Sequence, residues 1–296
     1  MSRQQNATAA ATASSSATWL ALGAIALWGT LAGLGVALKH VPPFLLTGIA
    51  LLIGSLIALP LSGFRLSVWR VPAPTLVLGV YGLFGFHFLL FVALRLAPPV
   101  QANLVNYLWP LLMVVLAPAF LPGIQLRAVH VMAALLGFAG AALVIAGGSD
   151  NSNLQATDTA IWAYLPALGS AFIWASYSLM TRRVTPFPTA AIGGFALLSG
   201  LLSLACHAML ETAVTLSSSD WLLLTLMGLG PMGAAFFLWD RALKTGDARH
   251  IGILSYLTPL ISTAILVLVS GKPMSWNIAV AAIMIVTAAW LGTRSA

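Results

Sequence analysis

The sequence predicts an all-α polytopic membrane protein with ten transmembrane helices, arranged as two inverted repeats of five helices, with both termini in the cytoplasm. Three observations support this prediction: the composition, an internal repeat and the distribution of positive charge. Of the 296 residues, 60% are hydrophobic and 6% are charged, whereas a soluble domain carries roughly 25% charged residues. A membrane-spanning helix needs about 20 apolar residues, so the chain has room for about ten spans.

The first 17 residues differ in composition from everything that follows. Residues 1–17 are small, polar and almost uncharged, which predicts a disordered tail. The apolar run from Trp19 to Leu38 is longer than the hydrophobic region of a signal peptide and lacks a clean small-x-small cleavage site. We therefore predict that this run is the first transmembrane helix.

Charged residues and clusters of proline and glycine divide the rest of the chain into ten apolar segments. In chain order, the separators contain Lys39, Arg65, Arg95 with Pro98 and Pro99, Arg127, Asp150, Arg182 with Arg183, Glu211, Arg241 and Lys272. The predicted spans, numbered 1 to 10, are residues 18–38, 44–62, 73–94, 100–120, 128–147, 160–181, 188–208, 220–240, 249–269 and 275–293.

The positive charges predict the orientation of these spans. With the N-terminus inside, ten of the cations lie in cytoplasmic segments and three in outer loops. Such a bias is the usual guide to topology. The cytoplasmic set is Arg3, Arg65, Arg70, Arg127, Arg182, Arg183, Arg241, Lys244, Arg249 and Arg294, and the outer set is Lys39, Arg95 and Lys272.

An internal repeat relates the two halves of the chain. Without a gap, residues 93–112 (ALRLAPPVQANLVNYLWPLL) align with residues 242–261 (ALKTGDARHIGILSYLTPLI). The halves are a first repeat, 18–149, and a second repeat, 150–296. Each holds five predicted spans, an odd number, so the second half must enter the membrane in the opposite sense. Inverted repeats of this kind are typical of transporters, in which two similar halves exchange conformations around a central site.

These features resemble a known family of membrane proteins. The ten spans in inverted halves, an aromatic residue in each first span and the Tyr-Leu-x-Pro-Leu motif in spans 4 and 9 are similar to the EamA family of the drug/metabolite transporter superfamily. The stretch 81–112 most resembles the family's exporters of aromatic amino acids. The resemblance implies amino acid efflux across the bacterial inner membrane through a cavity lined by both halves.

Spans 4 and 9 carry polar residues at matched positions. Asn103, Asn106, Tyr107 and Pro110 fall on one helical face, and the equivalent residues in span 9 include Tyr256 and Pro259. The two asparagines fit either a cavity lining or polar contacts between helices. Each proline removes a backbone donor, which fits either a fixed kink or a hinge, and the freed carbonyl could accept from a substrate amine.

His87 is the clearest ionisable residue deep within a span. Such groups are costly in a membrane and are functional candidates, although a neutral histidine that bonds neighbouring helices is an alternative. In a functional role, His87 would bind the substrate carboxylate or carry a proton, because its pKa is ordinarily close to neutral.

Several aromatic residues lie within spans rather than at their ends. Trp28, Trp109 and Trp174 are interior, and Trp174 shares a helical face with Tyr177 in span 6. Aromatic contacts would suit an aromatic substrate, each contributing roughly 0.5–1.5 kcal/mol beyond burial. Core packing is the alternative for each tryptophan. We predict a substrate-binding set of His87, Asn103, Asn106, Tyr107, Trp109, Trp174, Tyr177 and Tyr256, and a hinge or gating set of Pro110, Pro259 and Asp240.

Asp240 lies at the cytoplasmic end of span 8, where it fits an ion pair with Lys244 or, secondarily, a gate.

The charged residues that are absent from the interior of the spans narrow the choice of substrate. No Lys or Arg lies deep in a span, which disfavours phosphorylated substrates. No Asp or Glu does either, which disfavours a carboxylate-driven antiporter of cationic drugs. A neutral or zwitterionic, partly apolar substrate fits both absences.

The sequence therefore favours an exporter of aromatic and other neutral amino acids that works by alternating access in the bacterial inner membrane. An exporter of another small neutral metabolite or drug is the alternative, with a channel or an intramembrane enzyme behind it. No catalytic motif is present, and no cofactor, metal or nucleic acid is expected. The expected partners are the amino acid substrate and the lipid bilayer. Coupling to protons and the oligomeric state stay open, and a monomer is compatible with the sequence.

Overall fold

A computed structural model describes residues 2–147, 160–270 and 276–294. Within these ranges the chain is helical and contains no β-strand, which confirms the all-α class. The predicted boundary between the halves, at residues 149 and 150, lies outside the described residues, as does Lys272. The α-helices are α1 (Ser2–Gly29), α2 (Leu31–Ala37), α3 (Pro43–Ser55), α4 (Ala58–Leu61), α5 (Ala73–Val80), α6 (Phe86–Leu96), α7 (Pro99–Asn106), α8 (Trp109–Phe120), α9 (Ala128–Gly147), α10 (Leu165–Met180), α11 (Ile192–Leu210), α12 (Ser218–Leu229), α13 (Ala235–Thr245), α14 (Ala248–Leu254), α15 (Leu257–Ser270) and α16 (Trp276–Arg294).

Among the described residues, seven helical stretches are long and apolar enough to cross a membrane, by length and composition. They are Ser15–Ala37, Pro43–Leu61, Ala73–Leu96, Pro99–Phe120, Ala128–Ala146, Thr189–Leu210 and Ser218–Thr245, and Trp276–Gly292 is a shorter apolar helix. These correspond to predicted spans 1 to 5, 7, 8 and 10. The count of ten and the cytoplasmic termini stay predictions.

The first helix begins earlier than the predicted span. Helix α1 starts at Ser2 and so includes most of the segment for which the composition predicts disorder. Its apolar, membrane-compatible part starts at Ser15, and Ala17 is already buried against the rest of the protein. The disorder of the residues before this point stays a prediction.

Prolines set the start of three helices close to the predicted positions. Helices α3, α5 and α7 each follow or begin at a proline, namely Pro42, Pro72 and Pro98. Proline suits this position because the first backbone N–H groups of a helix have no partner within it, and its fixed φ angle already matches the helix. The prolines therefore fix where three spans begin.

The two halves contact each other in a reciprocal pattern. Helix α1 of span 1 packs on α13 of span 8, and its counterpart α10 of span 6 packs on α6 of span 3. Three further contacts join equivalent spans: α3 with α11, α8 with α14, and α9 with α16. Each of these contacts thus has its partner when the halves are exchanged. This is the packing expected of two repeats related by approximate two-fold symmetry.

Spans 3 and 8 both contain a short π-helix at the same place in the repeat. The first covers Tyr81–Gly85 between α5 and α6, and the second covers Gly230–Ala234 between α12 and α13. Adding 149 to the first range gives the second. Such π-bulges are rare and frequently occur at functional sites.

Glycines allow the helices around the second π-helix to approach closely. A Cβ atom on Gly54 of α3 would lie 2.8 Å from the carbonyl oxygens of Gly228 and Met232. Only a glycine fits at that distance without a shift of the backbone. Span 2 is therefore packed directly against the backbone of span 8, beside the π-helix.

Candidate functional site

Four tryptophans from four different helices meet inside the molecule. They are Trp28 in α1, Trp109 in α8, Trp174 in α10 and Trp239 in α13. Every pair of them has ring centroids between 5.0 and 6.5 Å apart, and each is at most 8% exposed. We call these four residues the tryptophan cluster. Two of its helices belong to each half, so both halves build it.

Hydrogen bonds hold two of these indoles but not the other two. The indole nitrogen of Trp28 donates to the carbonyl of Pro231, in the second π-helix, at 3.1 Å. That of Trp239 donates to the Ser178 hydroxyl at 3.1 Å. Within the described ranges, the indole nitrogens of Trp109 and Trp174 have no hydrogen-bond partner. Two donors are therefore left for a ligand that offers acceptors.

Three more aromatic side chains surround Trp174. The ring centroids of Phe86, Tyr177 and Phe236 lie 5.4, 5.4 and 5.7 Å from that of Trp174. Tyr177 also covers Gly82, because a Cβ atom on Gly82 would overlap the tyrosine ring. The first π-helix, which contains Gly82, therefore packs directly against one of the aromatic rings that surround Trp174.

His87 lies at the edge of this aromatic group and is 8% exposed. Its ring centroid is 5.0 Å from that of Phe86 and 6.4 Å from that of Phe236. Its Nδ1 atom is 2.6 Å from the carbonyl oxygen of Leu83, and because a carbonyl only accepts, Nδ1 carries the hydrogen. In the neutral ring Nε2 is then an acceptor, and it bonds no described residue.

The polar face predicted on span 4 is divided between two environments. Asn106 is buried, and its Oδ1 accepts a hydrogen bond of 2.6 Å from the hydroxyl of Ser170, one turn before Trp174. Asn103 and Tyr107 are half-buried, and neither has a side-chain hydrogen bond or ring contact with a described residue. Asn106 thus links two helices, whereas the polar groups of the Asn103 and Tyr107 side chains bond no other described residue.

Spans 4 and 9 are both broken just before the proline of the repeated motif. The break between α7 and α8 precedes Pro110, and the break between α14 and α15 precedes Pro259. Each proline lacks the N–H group that would bond the carbonyl four residues earlier. The carbonyls of Asn106 and Ser255 therefore lose their usual helical donor, as the sequence predicts, and that of Ser255 accepts instead from the Thr258 N–H at 3.0 Å.

Tyr256, which the sequence predicts to line the cavity, lies apart from the tryptophan cluster. It is fully buried, and its ring centroid is 6.5 Å from that of Phe138. A Cβ atom on Gly137 would overlap the tyrosine ring, and Ala141 and Ile285 complete the cluster around it. The side chain therefore packs between α9, α15 and α16.

Asp240 forms the ion pair that is the first of its two predicted roles. Its side chain is 1% exposed, and Oδ2 lies 2.6 Å from the Lys244 ammonium and accepts from the Thr189 hydroxyl at 2.7 Å. Lys244 also donates to the Phe187 carbonyl at 2.8 Å and lies 3.9 Å from the centroid of the Phe187 ring. These contacts fasten α13 to residues 187–189, all within the second half.

At the other end of α11, Glu211 joins the two halves. Its carboxylate accepts from the backbone N–H groups of Phe44 and Leu45 at 3.0 and 3.2 Å and from Arg95 at 3.3 Å. It also lies 2.9 Å from His207 Nδ1. The first turn of α3 thus receives the negative charge that a helix N-terminus favours. One carboxylate ties span 7 to spans 2 and 3.

A second charged contact joins the halves near the start of α14. Arg249 bonds Asp247 with its closest nitrogen at 2.6 Å and donates to the Gln125 carbonyl of the first half at 3.0 Å. Burial raises the pKa of Asp247, but the hydrogen bonds and charge of Arg249 outweigh it, so the pKa of this carboxyl lies below its usual range. The Asp247 carboxyl is therefore ionised at neutral pH.

The structure adds two residues that the sequence prediction omits, Phe236 and Trp239. Phe236 is the counterpart of His87 in the repeat, 149 positions later, and Trp239 follows it by three. Applying the repeat offset to His87 would have identified Phe236. Nothing in the pattern of span 8 distinguishes Trp239 from a packing residue, because it lies directly before Asp240 near the end of the span.

Comparison with known proteins finds close relatives over almost the whole chain. The model of the EamA-like transporter family matches twice, at residues 15–146 and 161–294. A protein described as aromatic amino acid exporter YddG from Ancylobacter novellus is 43% identical over 282 residues, which cover 94% of this chain and 97% of that protein. A protein of the same description from Salmonella typhimurium is 27% identical and covers 95% and 99% of the respective chains.

A crystal structure also matches this fold. It superposes with a TM-score of 0.87 at 41% sequence identity, over 95% of this chain and 98% of the other.

Proposed function

Because the chain belongs to the EamA-like transporter family, we propose that it exports aromatic and other apolar, neutral amino acids from the cytoplasm by alternating access. Members of the family are transporters, so the chain is a multi-pass transporter of the bacterial inner membrane and not an enzyme. The observation that carries the choice of substrate is the tryptophan cluster, which both halves build. The relatives described as aromatic amino acid exporters support the same choice.

The proposed site binds the substrate side chain through aromatic contacts. Edge-to-face geometry dominates within the tryptophan cluster, with interplanar angles such as 83° between Trp28 and Trp109. A substrate ring inserted beside these faces would add contacts worth roughly 0.5–1.5 kcal/mol each beyond burial. An aliphatic side chain would also be buried but would lack the energy of these ring contacts, so aromatic substrates are favoured.

The same site offers groups for both charges of a zwitterion. The free indole N–H groups of Trp109 and Trp174 would donate to the substrate carboxylate. The Nε2 atom of neutral His87 would accept from the substrate ammonium, as would the Asn106 carbonyl that Pro110 leaves without its donor. In this arrangement His87 has a different role from the predicted bond to the substrate carboxylate, because a neutral ring that donates through Nδ1 to Leu83 offers only an acceptor at Nε2.

Transport requires the two ends of the molecule to open in turn. We propose that the Glu211 contacts close one end, which the cation distribution predicts to face outward, and that the Arg249 contact with Gln125 closes the other. Both cross between the halves, so each would break when its end opens. The breaks before Pro110 and Pro259 would serve as hinges, and Asp240 would hold α13 to its own half.

The test is transport by purified full-length protein in liposomes. We expect saturable flux of labelled phenylalanine and tryptophan, a loss of at least about tenfold for Trp174→Ala, which removes six ring contacts, and a smaller loss for His87→Ala. Trp19→Ala is the matched control, because Trp19 is 72% exposed. Folded protein that moves no amino acid would refute the proposal.

A further inference from the structure

A cleft of about 690 Å³ opens between the end of span 2, the start of span 7 and span 8, and no residue of the tryptophan cluster belongs to its lining. It lies at the end of the molecule that the cation distribution predicts to be cytoplasmic. Its walls are largely apolar and include Leu20, Ile57 and Leu238, and its lining also contains Arg65 and Arg241. The cleft therefore combines an apolar wall with two positive charges.

These two charges are not neutralised by the protein. Among the residues of the cleft lining there is no Asp or Glu, and within the described ranges neither Arg65 nor Arg241 forms an ion pair. The Nε atom of Arg65 donates to the Ser62 carbonyl at 3.4 Å. Asp240, the neighbour of Arg241 in the chain, is already bonded to Lys244. Two guanidinium groups thus share one cleft, and neither has an acidic partner among the described residues.

The loop beside the cleft presents apolar side chains outward. Phe64 has a φ angle of 59° and is 74% exposed, and a left-handed conformation is unfavourable for a bulky residue. Leu61 and Leu66, on either side, are 58% and 61% exposed. In water this arrangement combines backbone strain with exposed apolar surface. At a membrane interface the aromatic ring is favoured, since such rings concentrate there.

We propose that this cleft binds one anionic phospholipid of the phosphatidylglycerol class. Its headgroup phosphate contacts Arg65 and Arg241, which offer planar donors suited to phosphate. An acyl chain lies along the wall of Leu20, Ile57 and Leu238. The apolar wall favours a lipid over free phosphate, which would gain nothing from it. The inference does not depend on which solute the protein transports.

Native mass spectrometry of the detergent-purified full-length protein tests this directly. We expect one phosphatidylglycerol to bind at least about tenfold more tightly than phosphatidylcholine with the same acyl chains. The Arg65→Gln/Arg241→Gln variant should lose this preference. The matched control, Arg70→Gln/Arg183→Gln, removes the same charge from the same predicted face but outside the cleft, and it should keep the preference within about twofold.

Photo-crosslinking provides a second measurement that does not require the arginine variants to fold. A photoreactive amino acid at Leu61, in the cleft lining, should label phosphatidylglycerol in preference to phosphatidylcholine in mixed vesicles. The same probe at Met132 on α9, which is 64% exposed, should label both lipids equally. Equal labelling at Leu61, undiminished preference in the cleft variant, or displacement of the lipid by inorganic phosphate would overturn the proposal.

Discussion

Spans 4 and 9 carry the same motif and the same backbone break, yet their side chains lie in different surroundings. Trp109, directly after the break in span 4, contacts three other tryptophans. Its counterpart Thr258 is a small buried residue, and Tyr256 beside it packs on Gly137. The shared proline determines the backbone of both spans, whereas the residues around it are free to differ. Span 4 therefore contributes an aromatic side chain to the proposed binding site, whereas span 9 mainly packs against other helices.

The largest effect is expected when span 4 receives the residue that span 9 has at the matched position. Trp109→Thr removes three ring contacts and a free indole donor, so we expect kcat/KM for tryptophan and phenylalanine to fall by about tenfold or more, with a smaller loss for aliphatic amino acids. Competition between labelled substrates in liposomes measures the ratio. Thr258→Val is the control in span 9. An unchanged substrate profile would mean that Trp109 only packs.

The second test separates a hinge from a static kink. Pro110→Ala and Pro259→Ala each restore the N–H group that can bond the carbonyl of Asn106 or Ser255. If both breaks move during transport, we expect each variant to slow the maximal flux several-fold while the protein stays folded. This corresponds to an increase of roughly 1 kcal/mol in the activation free energy of transport. Pro118→Ala, within α8 and away from the break, is the control. An effect of Pro110→Ala alone would make the break in span 9 static.

The third test concerns stability rather than transport. Gly137→Ala places a methyl group where the ring of Tyr256 lies, so we expect the free energy of unfolding to fall by about 1–3 kcal/mol. Thermal or denaturant unfolding in detergent measures this change. Gly33→Ala is the control, because open space surrounds that position. The substrate preference of folded Gly137→Ala protein should match that of the wild type, and a changed preference would place Tyr256 in the binding site after all.

The smallest effect is expected for Tyr256→Phe. The substitution keeps the ring that packs on Gly137 and Phe138 and removes only the hydroxyl. We expect transport rates for each amino acid to stay within about twofold of the wild type. A larger, substrate-dependent change in liposome flux would show that the two tyrosines of the repeated motif share a role in binding.

Much of the helical arrangement could be predicted from the sequence because prolines and charges mark the ends of helices. Span 5, predicted at 128–147, coincides with α9 (Ala128–Gly147). The breaks in spans 4 and 9 follow from Pro110 and Pro259, whose effect on hydrogen bonding is local. The two π-helices could not be predicted from the sequence. An extra residue within an apolar helix does not change the composition, and because both halves carry it at the same position, their alignment needs no gap.

The site was only partly predictable, and the reason is that burial does not follow the repeat. Trp109, Trp174, Tyr177 and His87 meet as expected, since each is a polar or aromatic residue within a span. The match with Tyr107 places Tyr256 in the predicted binding set, but the neighbouring Gly137 accommodates its ring between other helices. The position of Trp239 does not follow from the sequence, because only packing in three dimensions brings it to the other tryptophans.

The paired π-helices also bear on the history of this protein. A π-bulge amounts to one inserted residue, which turns everything beyond it by roughly 100° about the helix axis. His87 and Phe236 lie just beyond the two bulges, so both owe their inward direction to an insertion. The same insertion at the same position in both halves is explained most simply by inheritance from a single ancestral half. A deletion in one copy would turn its aromatic residue away, so the two halves are constrained to retain the insertion together.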